Sequence, residues 1–157
     1  MRAATVHEIK QELGNLKPGE LSELCLRLAR FKKENKELLT YLLFEANDEN
    51  GYINGVKKEI DEQFAEINLS HLYFVKKSLR KILRMISKHV RYMGSKVAEV
   101  ELLLYFLKII RESGIPFEKS QVIANLYNSQ LKKLKTTIAT LHEDLQYDYL
   151  KQYEELA

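Results

Sequence analysis

The 157 residues suffice for one domain with a buried core, and 45% apolar with 30% charged residues is the balance of a globular soluble chain. Cys25 is the only cysteine, which excludes an intrachain disulfide and a thiolate zinc site and suits a reducing compartment. A net charge of +3 is only mildly basic, and six glycines with two prolines leave little room for long irregular loops.

Apolar residues recur at spacings of three and four and nowhere sustain a period of two, so the chain is predicted to be all-α. Thr5 and Glu8 have the spacing of a capping box, and a short helix is expected to stop at Gly14. Pro18 suits the first turn of a second helix, to about Lys32, burying Leu21, Leu24, Leu28 and Phe31. A third, Asn35 to about Ala46, holds Leu38, Leu39, Leu42 and Leu43. The run Asn47 to Gly51 reads as a loop.

A fourth helix, about Tyr52 to Ile67, carries Val56, Ile60, Phe64 and Ile67 on one side and Glu59, Glu62 and Glu66 on another. Asn68 to Ser70 offers caps for a fifth, about Ser70 to Met93, closed by Gly94. Ser95 caps a sixth that ends at Gly114. Between Val100 and Ile110 that helix has only Glu101 and Lys108 as polar residues, so it is expected at the centre. The last segment, about Phe117 to Leu156, is expected to break near Asn128 or Gln146. The overall expectation is a single all-α domain, residues 1–157, of six or seven helices packed as antiparallel hairpins. An α-solenoid or an irregular bundle would satisfy it.

One internal echo bears on that choice. The stretch Glu37 to Leu43 resembles Glu101 to Leu107, each on the second helix of a hairpin, as in a helical repeat. Two copies are fewer than the three or so a stable array needs, so chance similarity is the competing explanation.

The charge is concentrated. Between Glu66 and Glu99 there is no acidic residue but eight cations, so the rest of the chain sums to −5. At 100° per residue Lys77, Arg80, Lys81, Arg84, Lys88 and Arg91 share one ~100° arc of the fifth helix. Leu72, Val75, Leu79, Ile82, Ile86, Val90 and Met93 lie opposite. Lys77 to Arg91 extends ~21 Å, enough to follow several phosphates, and Tyr73, Phe74 and Tyr92 lie in or beside the arc, where aromatic rings can stack on bases. The competing arrangement is internal. Across the turn at Asn68 to Ser70 the acidic strip of Glu59, Glu62 and Glu66 would sit beside Lys76, Lys77 and Arg80 and cancel their field, leaving Arg84 and Lys88 without an obvious partner. An anionic membrane surface is the weaker option, because the apolar back of the strip belongs to the core.

Other chemistry finds little footing. His7, His71, His89 and His142 are scattered with no metal-ligand spacing, and His89 reads as a packing residue with one hydrogen bond. Cys25, among Leu24, Leu26 and Leu28, reads as a neutral buried thiol. No nucleophile elbow or phosphate loop occurs. The expectation is therefore no enzyme, no cofactor and no metal. Leu131, Leu134, Ile138, Leu141 and Leu145 form a 3-4-3-4 seam that serves either a homodimer or the sixth helix of the same chain. Tyr147, Tyr149 and Tyr153 follow it as a candidate protein interface.

The N-terminal stretch MRAATVHEIKQELG lacks the apolar run of a signal peptide, and Leu102 to Leu107 falls far short of the ~20 residues that span a bilayer. A cytoplasmic protein with no membrane contact is expected. The stretches ELLTYLLFEAND, SLRKILRMISKHVRYMGSK and LHEDLQYDYL resemble those of an uncharacterised family of short all-helical bacterial proteins. That resemblance implies a helical fold and a bacterial cytosolic setting and transfers no activity, ligand or site residue. A non-enzymatic interaction or scaffold module binding another protein is the first functional expectation. A nucleic-acid binder using the basic helix is the alternative.

Overall fold

The computed structural model describes residues 1–157 and contains no strand. Eight α-helices follow one another: α1 (Val6–Gly14), α2 (Pro18–Phe31), α3 (Lys33–Thr40), α4 (Glu49–Ala65), α5 (Leu72–Met93), α6 (Lys96–Glu112), α7 (Gln121–Ile138) and α8 (Glu143–Leu156). Where one domain is expected, contacts within the chain divide it into two compact units, Met1–Phe44 and Glu45–Ala157.

In the first unit α1 begins as its sequence dictates. The Thr5 hydroxyl accepts from Glu8 N at 3.2 Å, and the Glu8 carboxylate accepts from Thr5 N at 2.7 Å. Only Lys32, in extended conformation, separates α2 from α3, and the two helices pack together. Asn35 Nδ2 donates to the Leu28 carbonyl at 2.8 Å, satisfying an acceptor that α2 leaves free near its end. The third helix then passes into a π-helical turn, Tyr41–Glu45, instead of running on to Ala46.

The predicted core of this unit is not a core. No residue of α1, α2 or α3 is buried. Leu28 and Phe31 are 60% and 76% exposed, Leu42 and Leu43 56% and 65%, and Cys25 is exposed as well. Three short helices have too little interior to cover both faces of each, so the periodicity that usually marks a buried stripe marks an open one here. The echo between Glu37–Leu43 and Glu101–Leu107 also fails as a structural repeat. Tyr41 starts a π-turn with Leu42 and Leu43 exposed, whereas Phe106 and Leu107 are fully buried in a continuous helix.

The second unit is a bundle with α6 at its centre, packed against α4, α5, α7 and α8. Leu102, Phe106, Leu107 and Ile110 are inaccessible, and the Phe106 ring lies 5.9 Å from that of Phe64. The centrality expected from an almost wholly apolar helix is therefore observed. Helix α4 starts three residues before its predicted onset, because Asp48 caps it by accepting from Gly51 N at 3.0 Å. A Cβ at Gly51 would come within 2.1 Å of the Asp48 carboxylate as it stands, so a larger residue there would require the capping side chain to shift.

Helices α5 and α6 meet at a tight corner. Gly94 has φ 58°, a left-handed conformation that ends α5, and the Ser95 hydroxyl accepts from Ala98 N to start α6. The last segment breaks at Ala139–His142, between the two positions expected from sequence. Thr136 and Thr137 hydroxyls donate to the carbonyls of Lys132 and Lys133, and Thr140 to that of Thr137, which weakens continuation of the helix. Gln146 Nε2 then donates to the Leu141 and Ala139 carbonyls, 2.7 and 3.3 Å away, fixing the turn. Helix α8 is tied down at its far end, where the Leu156 carbonyl accepts from Arg111 and from the Tyr127 hydroxyl.

The leucine seam is consumed by this packing. Leu131, Leu134 and Ile138 are buried on α7 against α6, Leu141 lies in the turn, and Leu145 has rotated to the surface of α8 at 41% exposure. The five residues therefore form no continuous exposed seam, since three are covered and the other two no longer share their helix. The tyrosine cluster is likewise broken up. Tyr149 is buried and donates to Glu101 at 2.8 Å, Tyr153 is half-buried beneath Lys135, and only Tyr147 stands free.

Candidate functional site

Helix α5 is two-sided in the sense its sequence predicts. Val75, Leu79, Ile82 and Ile86 are buried with at most 2% exposure, while Lys77, Arg80, Lys81, Arg84 and Arg91 are exposed on the opposite side. Lys88, the sixth predicted member, is half-buried. The helix starts at Leu72, two residues after the predicted onset, because Asn68 accepts from Ser70 N in a local turn instead of capping the helix.

The internal neutralisation that would cancel the strip is largely missing. Glu62 and Glu66 form no ion pair, and no carboxylate oxygen lies within 4.0 Å of Lys76, Lys77, Arg80, Lys81, Arg84 or Arg91. Glu59 turns instead to His89 Nε2 at 3.4 Å, and His89 Nδ1 faces the Tyr52 hydroxyl at 2.6 Å. His89 is thus a half-buried packing residue, with more polar contact than the single hydrogen bond expected. The reason for the mismatch is the longer connection: residues 66–71 separate α4 from α5, where a three-residue turn is predicted, so the levels of the two charge rows shift.

Of the aromatic residues beside the strip, Tyr73 and Phe74 are 59% and 49% exposed, whereas Tyr92 is buried and unavailable to a ligand. The Nζ atoms of Lys76 and Lys77 each lie 5.4 Å from the Tyr73 ring centroid, which holds two cations around an open aromatic face. At the other end Arg91 lines a cleft of about 390 Å³ with Lys96 and Lys133.

That cleft contains a residue the sequence reading passed over. Glu99, on the first turn of α6, is 6% exposed and meets Lys133 at 2.9 Å and Lys96 at 3.3 Å. Burial works against its charge, but hydrogen bonding and charge from Lys133 and then Lys96 outweigh it, and the carboxyl titrates below the ordinary range. Its folded pKa being lower than its unfolded one, Glu99 contributes stability above the unfolded carboxylate value and loses it as pH falls through the folded value. Melting temperature should therefore decline below about pH 4.5, and Glu99→Gln should lower it at pH 7 while making the acid decline shallower. Thermal melts from pH 3 to 7 test this, and parallel pH profiles for the two proteins would refute it.

A second polar cavity, about 400 Å³, is lined by Lys57, Lys108 and Arg111 together with Glu101, Glu112 and Glu155. Its opposite charges balance, so it lacks the one-signed field of the α5 strip. Above it Tyr105 donates to both oxygens of Asp61, and burial followed by that bond pushes its phenol up to about 12. Tyr149 is raised to about 12 by burial and then by Glu101. Neither hydroxyl can act as a base near neutral pH.

The fold and surface define an all-helical protein with a one-signed helix face, and no helix is long and apolar enough to cross a membrane. No protein family, curated protein or solved structure matches the chain.

Proposed function

We propose that the chain is a non-enzymatic binding module that holds the sugar-phosphate backbone of a nucleic acid on the exposed face of α5. The observation that carries this reading is the row Lys77, Arg80, Lys81, Arg84 and Arg91, exposed and without a carboxylate partner along a rigid helix. Cations that are not neutralised within the protein attract a polyanion and release its counterions on contact. Exposed Tyr73 and Phe74 add stacking surfaces at the start of the row, which suits single strands. Cations on a helix face contact phosphates and not base edges, so binding is expected to be largely independent of sequence.

The test is a salt titration of a fluorescent oligonucleotide by anisotropy. Neutralising about five phosphates gives a slope of log K against log salt near −4.5 on duplex DNA, and a shallower one on single strands. No binding at low salt, or a slope near zero, would remove this reading.

A protein ligand is the second reading, favoured by a different observation. Val6, Ile9, Leu13, Leu24, Leu28 and Phe31 of the first unit are 38% to 83% exposed, more apolar surface than isolated surface residues account for.

A further inference from the structure

We infer that α2 pairs antiparallel with α2 of a second copy of this chain, across a two-fold axis level with Cys25. The inference rests on the second reading above and names the partner. Leu24, Leu28 and Phe31 share a ~60° arc of α2 and are 42%, 60% and 76% exposed in the complete chain. Along one flank of that arc, within the adjoining ~100°, run Glu20, Glu23, Arg27 and Arg30. The other flank, with Cys25 and Ala29, borders the groove formed with α3.

The order of those four charges selects the occupant. Glu20 and Arg30 are equidistant from position 25, and so are Glu23 and Arg27. When two helices pair antiparallel about a two-fold axis, each flank faces the same flank of its copy in reverse order. A two-fold axis at position 25 therefore sets Glu20 opposite the copy's Arg30 and Glu23 opposite its Arg27, each pair occurring twice. A parallel pair in register would turn this flank toward the opposite flank of its copy, with Cys25 and Ala29, and leave the four charges without partners. Arg27, Arg30 and Glu23 form no ion pair within the chain, and Glu20 spends one oxygen on the Lys17 amide at 2.8 Å.

A separate consideration points the same way. Units as small as Met1–Phe44 usually need a disulfide, a metal or oligomerisation to be stable. The single cysteine forms no intrachain disulfide, and no group of His, Cys, Asp and Glu side chains is placed to hold a metal ion. Pairing of apolar α2 faces supplies the missing burial, while the charges fix direction and register.

Sedimentation equilibrium of the full chain should show a concentration-dependent mass rising to twice 18.4 kDa. Arg27→Glu with Arg30→Glu makes the flank wholly acidic and should raise the dimer dissociation constant at least ~100-fold. Glu20→Gln with Glu23→Lys makes it basic while keeping a capping acceptor, and should have the same effect. An equimolar mixture of the two variants should dimerise again, a recovery that misfolding of either could not produce. A wild-type chain that stays at 18.4 kDa throughout, variants that remain dimeric, or a mixture that stays monomeric would each overturn the inference. Anilinonaphthalene sulfonate separates this failure from failure of the protein-ligand reading: a monomer that binds the dye keeps an open apolar face, and one that does not has none to offer.

Discussion

Phe106→Ala is expected to cost the second unit about 3–5 kcal/mol, the range for truncating a fully buried aromatic residue. Phe106 is inaccessible at the middle of α6 and touches the Phe64 ring, and α6 is the helix against which α4, α5, α7 and α8 all pack. Neighbours held from four sides cannot collapse into the space a phenyl ring leaves, so the lost transfer energy and the cavity cost both apply. Leu43→Ala, in the stretch that echoes α6 in sequence, is expected to change stability by less than ~0.5 kcal/mol because its side chain is 65% exposed. Urea unfolding followed by circular dichroism measures both. Similar losses at the two positions would mean that the exposure of the π-turn is wrong.

Reversing the charge of Arg80 and Arg84 together should weaken oligonucleotide binding at least ~100-fold at low salt and reduce the magnitude of the salt slope by about 1.8, two contacts of roughly 0.9 each. Both side chains are exposed and lack a carboxylate partner, so nothing within the fold depends on their charge. Stability should move by no more than ~0.5 kcal/mol. Arg84 lies in the middle of the row, where a reversed charge repels phosphates on either side. Full affinity in Arg80→Glu/Arg84→Glu would show that the nucleic acid, if bound, sits elsewhere on the protein.

Much of the site was legible because a helix converts spacing into direction. Once α5 is a helix, the 100° step alone separates Val75, Leu79, Ile82 and Ile86 from Lys77, Arg80, Lys81 and Arg84, and burial on one side follows. Glu99 was not legible. It lies one residue before the apolar run of α6, and its burial depends on Lys133 arriving from a helix more than thirty positions later. The only local signal was Lys96 three residues before it. Tyr92 was misplaced for a related reason, since its position at the edge of the arc is compatible with either side until neighbouring helices are present.

Local sequence sets the all-helical character, the capped starts at Thr5 and Ser95, the stop at Gly94, and the apolar or charged stripe of each helix, because these depend on interactions within about four residues. The onsets of α4 and α5 and the break between α7 and α8 fall elsewhere than expected. Which apolar stripes are covered depends on packing between helices distant in sequence. The same three-and-four spacing is buried on α6 and α7 and open on α2, because burial depends on how many neighbours a helix acquires, and the short helices of the first unit acquire too few. Packing also leaves Lys77, Arg80, Lys81, Arg84 and Arg91 without a carboxylate from the acidic row of α4, since pairing across a turn depends on the length and conformation of the connection and not on the order of charges along either helix.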